Sequence, residues 1–98
     1  MLDSVYELQV AQELDNYDIS WVRPKPLKYK DQQGVVRHYF PDFYLPEYDV
    51  YLDPKNQFLI EHDSEKIYLA ECFNNVKIII LDKNHLVWEK IRKLIVKV

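Results

Sequence analysis

The chain reads as an α/β fold, a mixed β-sheet of four to five strands flanked by helices. The run VKIIIL at 76–81 is almost wholly apolar and β-branched, which marks a strand buried on both faces, parallel to a neighbour and covered by helices. Upstream, two strand-like segments at 35–45 and 48–54 overlap the turn-forming run Pro46, Glu47, Tyr48 and Asp49, so they fold back on one another as an antiparallel pair. Helical segments stand before, between and after these strands, giving a parallel strand reached by a helical crossover.

In chain order, SVYELQVAQELDNY predicts a helix over 3–16, with Asp3 or Ser4 as its cap. Val10, Ala11 and Leu14 follow Glu7 at helical spacing and form an apolar stripe, while Glu13 falls on a more polar flank. Strands are predicted around 19–23 and 27–30, then at 35–45 and 48–54. A helix follows at 63–73, capped by Asp63 or Ser64 and packing Ile67, Ala70 and either Leu69 or Phe73 inward. Strand 76–81 and helix 85–96 complete the order. Trp21 and Trp88 are expected in the core or at its rim.

With 98 residues, 48% apolar content and a single glycine, the chain is expected to form one domain over 1–98, with nothing that reads as a linker. No apolar run of about 18 residues and no signal-peptide pattern occurs, so the expectation is a cytoplasmic protein with no membrane span. The one cysteine, Cys72, has no partner for an internal disulfide and no zinc-type spacing around it. It is expected as a small buried apolar residue on the helix beside Phe73.

Chemistry concentrates in YFPDFYLPEYDVYLDPKN, residues 39–56. Strand alternation sets Asp53 and Lys55 on one face with Val50 and Leu52 on the other. The hairpin brings Asp42 into reach of that pair. Two adjacent carboxylates hold a hard divalent cation through oxygen, and a lysine beside them polarises a water or a phosphate oxygen, as a metal-dependent phosphodiesterase requires. Glu7 is the candidate third acid. On its apolar stripe it either tucks toward the core beside polar groups or rides at the edge and reaches water.

The run S-x-x-E-x-x-V on the first helix, the aromatic strand ending Y-F-P-D-F-Y-L-P, and the acid-x-Lys strand after it resemble the PD-(D/E)XK nuclease superfamily, and within it the junction-resolving endonuclease I family of phages. The resemblance covers roughly residues 4–56. It implies a restriction-endonuclease-like core and a Mg²⁺- or Mn²⁺-dependent endodeoxyribonuclease. Glu7 is then the helical acid, Asp42 the central metal ligand, Asp53 the second strand acid and Lys55 the catalytic lysine. Two positions depart from the pattern. Asp53 stands where the phage enzyme has glutamate, and Asn56 stands where glycine often follows the lysine; neither departure removes a required group. Pro54, between the catalytic positions, lacks an N–H and implies an unpaired side of the strand there.

The net charge of −3, from 13 basic and 16 acidic residues, excludes the strongly basic balance of a nonspecific nucleic-acid binder. Distribution matters more than the sum. Arg23, Lys25, Lys28 and Lys30 lie in a stretch free of acids and are candidates to track a DNA backbone, with Lys66 a further phosphate contact. A solvated face is the alternative for that stretch. Lys90, Arg92, Lys93 and Lys97 crowd the last helix, where cations also suit a C-terminus. Tyr29, Tyr39, Tyr44, Tyr48 and Tyr51 either stack on bases or fill half-buried strands, and none is assigned chemistry. Glu61, His62 and Asp63 are read as helix-start residues rather than a second site.

Three functions fit: a structure-selective endonuclease that resolves junctions or nicks, a homing or restriction-like enzyme with sequence preference, and a catalytically silent DNA-binding relative. The complete acid-acid-lysine set argues against the last. Absence of an appended helix-turn-helix favours shape over sequence readout. Cutting two strands with one small domain calls for a homodimer. Short nucleases of the resembled kind are commonly phage-encoded, and for a phage-encoded chain the expected cytoplasm is that of a host cell.

Overall fold

The computed structural model describes residues 2–96, with side chains from Val5 onward; the first helix already includes Asp3 and Ser4, so neither is its cap as expected, and the basic Lys97 lies outside the described residues. Helix α1 (Leu2–Asn16) leads into strands β1 (Leu27–Lys30), β2 (Val36–Tyr39), β3 (Phe43–Leu45) and β4 (Val50–Pro54). Helices α2 (Gln57–His62) and α3 (Ser64–Asn74) cross over to β5 (Ile78–Leu81), and α4 (Trp88–Val96) follows.

The α/β class and the flanking helices match the expectation, but the four- to five-stranded sheet does not form. The strands divide into a three-stranded mixed sheet, β3-β4-β5, and a separate two-stranded hairpin, β1-β2. The break falls inside the predicted strand 35–45, at Pro41. Proline has no N–H to give a ladder, and Phe40, Pro41 and Asp42 belong to no strand. The segment before Pro41 therefore pairs with β1, and the segment after it pairs with β4. The predicted strand at 19–23 shrinks to one bridge, Val22 with Tyr44, held by hydrogen bonds of 3.0 and 2.9 Å. Pro24 and Pro26 flank Lys25 just beyond it and deny the segment further donors.

The β3-β4 hairpin is as the sequence predicts. Residues 46–49 turn, with Asp49 in the left-handed region at φ 53° and its side chain accepting from the Tyr44 hydroxyl at 2.7 Å. β5 runs parallel to β4, and Ile78, Ile79 and Leu81 are buried on alternating faces.

Alternation along β4 separates two cores. Val50 and Leu52, with Phe43, Leu45, Ile79 and Leu81, pack under Val10 and Leu14 of α1 and Trp88, Ile91 and Ile95 of α4. The other face carries Tyr51, Ile78 and Ile80 against Leu27, Tyr29 and Tyr39 of the hairpin and Ile67 and Ala70 of α3. Truncating a fully buried residue such as Leu52 to alanine costs about 2–5 kcal/mol. Glu13, on the predicted polar flank of α1, accepts from the Trp88 N–H at 2.7 Å and so caps α4, which begins three residues later than expected.

The crossover differs from expectation in two ways. A short extra helix, α2, is nucleated by Asn56, whose side chain accepts from the Leu59 N–H at 2.9 Å. Cys72 is exposed, not buried: the inward positions of α3 are Ile67 and Ala70, and Cys72 lies five residues from Ile67, far around the helix. Phe73 is likewise 51% exposed, so Leu69 is the residue that joins the packed side. Asn74 ties α3 to the hairpin by donating to the Lys28 carbonyl at 2.8 Å. Among the described residues no helix is long and apolar enough to cross a membrane.

Candidate active site

The register of the β3-β4 hairpin pairs Phe43 with Leu52, and one step beyond that pair Asp42 faces Asp53. The two carboxyl groups are close enough for each to shift the other's ionisation. Burial, then the charges of Asp53 and Glu7, push Asp42 up to about 7 against the opposing pull of Arg23. Asp53 is also raised, by burial first, although hydrogen bonds from Tyr39 and Lys55 restrain the rise. At neutral pH the pair resists carrying two full charges.

Tyr39, at the end of β2, donates its hydroxyl to Asp53. Burial and then the Asp53 charge hold its phenol far above the usual range, so it stays a donor. The Pro41 break makes this contact possible, because it leaves β2 leaning over the Asp53 face of β4 instead of extending the sheet. Pro54 fits the same picture. It pairs with β5 on one side, while β3 starts too late to meet it on the other.

Lys55 follows β4 and points the same way as Asp53, as strand alternation predicts. Its Nζ lies 3.4 Å from Asp53, 3.2 Å from Asp63 and 5.5 Å from the centre of the Tyr39 ring. The side chain is 13% exposed, and an ammonium so enclosed requires anionic partners. Asp63 supplies one of them. It occupies the cap position of α3, where its carbonyl accepts from the Ile67 N–H at 2.9 Å, but its side chain makes no cap and turns inward. There it also meets His62 Nδ1 at 2.9 Å and Lys66 Nζ at 3.6 Å. Burial alone would raise Asp63, but hydrogen bonds from His62 and Lys55 outweigh it and hold the group below the ordinary range.

Glu7 reaches the site from the edge of the α1 stripe. It does not join the aspartates directly; the Arg23 guanidinium takes its carboxylate and places a second nitrogen 3.7 Å from Asp42. Arg23, expected on a DNA backbone, thus sits on the acids while remaining 58% exposed. Lys25, Lys28 and Lys30 are exposed as expected. In the hairpin, Lys28 faces His38 and Lys30 faces Val36, so both lysines share the outer surface. Lys66 leans toward Asp63 at 3.6 Å while remaining 42% exposed.

Among the described residues, no group of three or more His, Cys, Asp or Glu side chains forms a ready metal cage. The donors that do meet are two carboxylates, of which Asp42 is raised by burial first and then by the charge of Asp53. An all-oxygen pair of this kind suits Mg²⁺ or Mn²⁺, since Mg²⁺ keeps several waters and takes one or two protein carboxylates. Beside it a groove of about 400 Å³ is lined by Glu7, Leu8, Ala11, Trp21 and Arg23. Trp21 is fixed there by donation to Asp15 at 2.9 Å and by edge-on contact with Phe43.

Sequence reasoning missed Tyr39 and Asp63. Tyr39 carried a signal only in its inward phase on β2. Asp63 carried one in Lys66, three residues on, and in the adjacent His62, both of which read equally well as helix-start chemistry. Compared with known proteins, the chain matches no family model, no curated protein and no solved structure.

Proposed function

We propose that the protein is a metal-dependent endonuclease of the PD-(D/E)XK kind that hydrolyses DNA phosphodiesters, selecting by structure rather than sequence. The observation that carries this reading is half-buried Asp42 facing buried Asp53, with the Lys55 ammonium 3.4 Å from Asp53. Asp42 and Asp53 would hold the cation, with Glu7 as the outer carboxylate. Magnesium or manganese bound there supplies Lewis-acid polarisation of a phosphoryl oxygen. Lys55 orients the attacking water and offsets charge gathering on the phosphate. Tyr39 holds Asp53 in its ionised form by donation. Arg23, Lys25, Lys28 and Lys30 bind backbone phosphates on either side of the scissile bond. A duplex or junction cut on both strands requires two copies of so small a domain, and hence a homodimer.

The test is incubation of the purified chain with matched linear, nicked and four-way-junction DNA, with Mg²⁺ or Mn²⁺, beside Asp42→Ala and a chelated control. Junction-selective cutting that disappears in both controls is the expected result. Cutting that survives Asp42→Ala removes the proposed site, and no cutting of any substrate removes the structure-selective reading.

A further inference from the structure

We propose that Asp63 is a positioning residue for Lys55: it is the fixed counter-charge that keeps the ammonium aimed at the reacting phosphate while Asp53 is committed to the cation. This role rests on the nuclease function proposed for the site. Lys55 stands between two carboxylates, 3.4 Å from Asp53 and 3.2 Å from Asp63, and these two have different freedom. Asp53 must turn lone pairs toward a bound cation, which draws its charge away from Lys55. Asp63 faces no such demand. It is 6% exposed, its backbone is fixed at the junction of α2 and α3, and its second oxygen is already occupied by His62.

A buried ammonium deprived of its partner swings toward water. Asp63 prevents this with an ion pair at 3.2 Å, so Lys55 remains in place as Asp53 changes partners. The crossover exists in a form that allows this: Asn56 starts α2 directly after Lys55, and that short helix returns the chain to Lys55 at Asp63.

The experiment is a double-mutant cycle on the cleavage reaction with Asp63→Asn, Lys55→Met and the double variant, with thermal unfolding recorded for each. Asp63→Asn is expected to lower kcat about 10–100-fold with KM unchanged, and Asp63→Glu to recover much of the loss. In the Lys55→Met background the same Asp63→Asn change is expected to alter kcat less than about 2-fold, because the residue acts only through the lysine. Equal losses in both backgrounds, or no loss in either, overturn the proposal. A second readout needs no activity. Reductive methylation of the folded chain with ¹³C-formaldehyde should leave Lys55 unmodified in the parent and modify it in Asp63→Asn. Unchanged protection of Lys55 in that variant also overturns the proposal. A parent that cuts none of these substrates removes the structure-selective reading and the catalytic role argued from it, while loss of protection would still establish that Asp63 holds Lys55.

Discussion

Arg23 spans two acids of the site, paired with Glu7 and 3.7 Å from Asp42. The guanidinium therefore occupies space and charge that a divalent cation would share. The hydrogen bond to Glu7 raises the Arg23 pKa against the opposing effect of burial, with the charges of Glu7 and Asp42 adding to the rise. Arg23→Gln is expected to tighten Mn²⁺ binding several-fold by removing a competing cation. The same change should weaken DNA binding, since an exposed guanidinium is lost from the rim. Titration of Mn²⁺ followed by electron paramagnetic resonance checks the first effect; equal or weaker Mn²⁺ binding in Arg23→Gln refutes it.

Asp42 gives the cation-free fold an unusual pH dependence. Its folded pKa of about 7 lies above the ordinary 3.8, so the native state holds a proton that the unfolded chain has already released. The stability this provides is complete below about pH 4 and is lost as pH rises toward about 7. Asp53 is raised too and adds in the same direction. Asp63 is depressed and contributes oppositely, losing its stabilisation only in acid. In chelator, Tm should therefore fall between roughly pH 4 and 7, and Asp42→Asn should flatten the slope and exceed the parent at pH 8. Mg²⁺ should restore the parent at that pH. Parallel Tm profiles for parent and variant would refute the assignment.

Much of this site was legible because it depends on short-range rules. Strand period placed Asp53 with Lys55, the 46–49 turn placed Asp42 opposite Asp53, and β-branched density placed β5. The features that escaped depend on how separate elements pack. Pro41 was visible in the sequence, but whether a proline ends a strand or rides its edge is decided by what covers the next strand, here α3 and the β1-β2 hairpin. Asp63 occupies a cap position by backbone and leaves it by side chain, and only the location of Lys55 makes the inward rotamer favourable. Cys72 was misplaced for a related reason. Its burial depended on which stripe of α3 faces the hairpin, and Ile67 and Ala70 fix that stripe one turn earlier.

Tyr39 offers a test of the site's outer support. Its hydroxyl reaches Asp53 from a different sheet, so Tyr39→Phe removes a donor while preserving the ring over Lys55. Asp53 then loses one of the contacts that restrain its pKa and holds its charge less readily. Cleavage should fall about 10–100-fold, the usual effect of removing a hydrogen bond behind a metal ligand. Unfolding free energy should drop by about 1–3 kcal/mol, because a buried acceptor loses its donor. Wild-type cleavage in Tyr39→Phe would show that Asp53 needs no such support.

The outer face of the β1-β2 hairpin makes the last prediction. Lys28 and Lys30 point outward beside His38, while Asp31 in the following turn is neutralised by Arg37 at 2.7 Å. In a chain of net charge −3, this leaves a local basic strip on a two-stranded ribbon, an element narrow enough for a DNA major groove. Neither lysine supports the core, so Lys28→Ala with Lys30→Ala should leave Tm within a few degrees of the parent. If both contact phosphates, the slope of log binding constant against log salt should become shallower by about 2, with affinity lowered alike for every sequence. Binding measured without divalent cation separates this from cleavage. An unchanged salt slope would assign the strip to solvent and leave Arg23 and Lys25 as the backbone contacts.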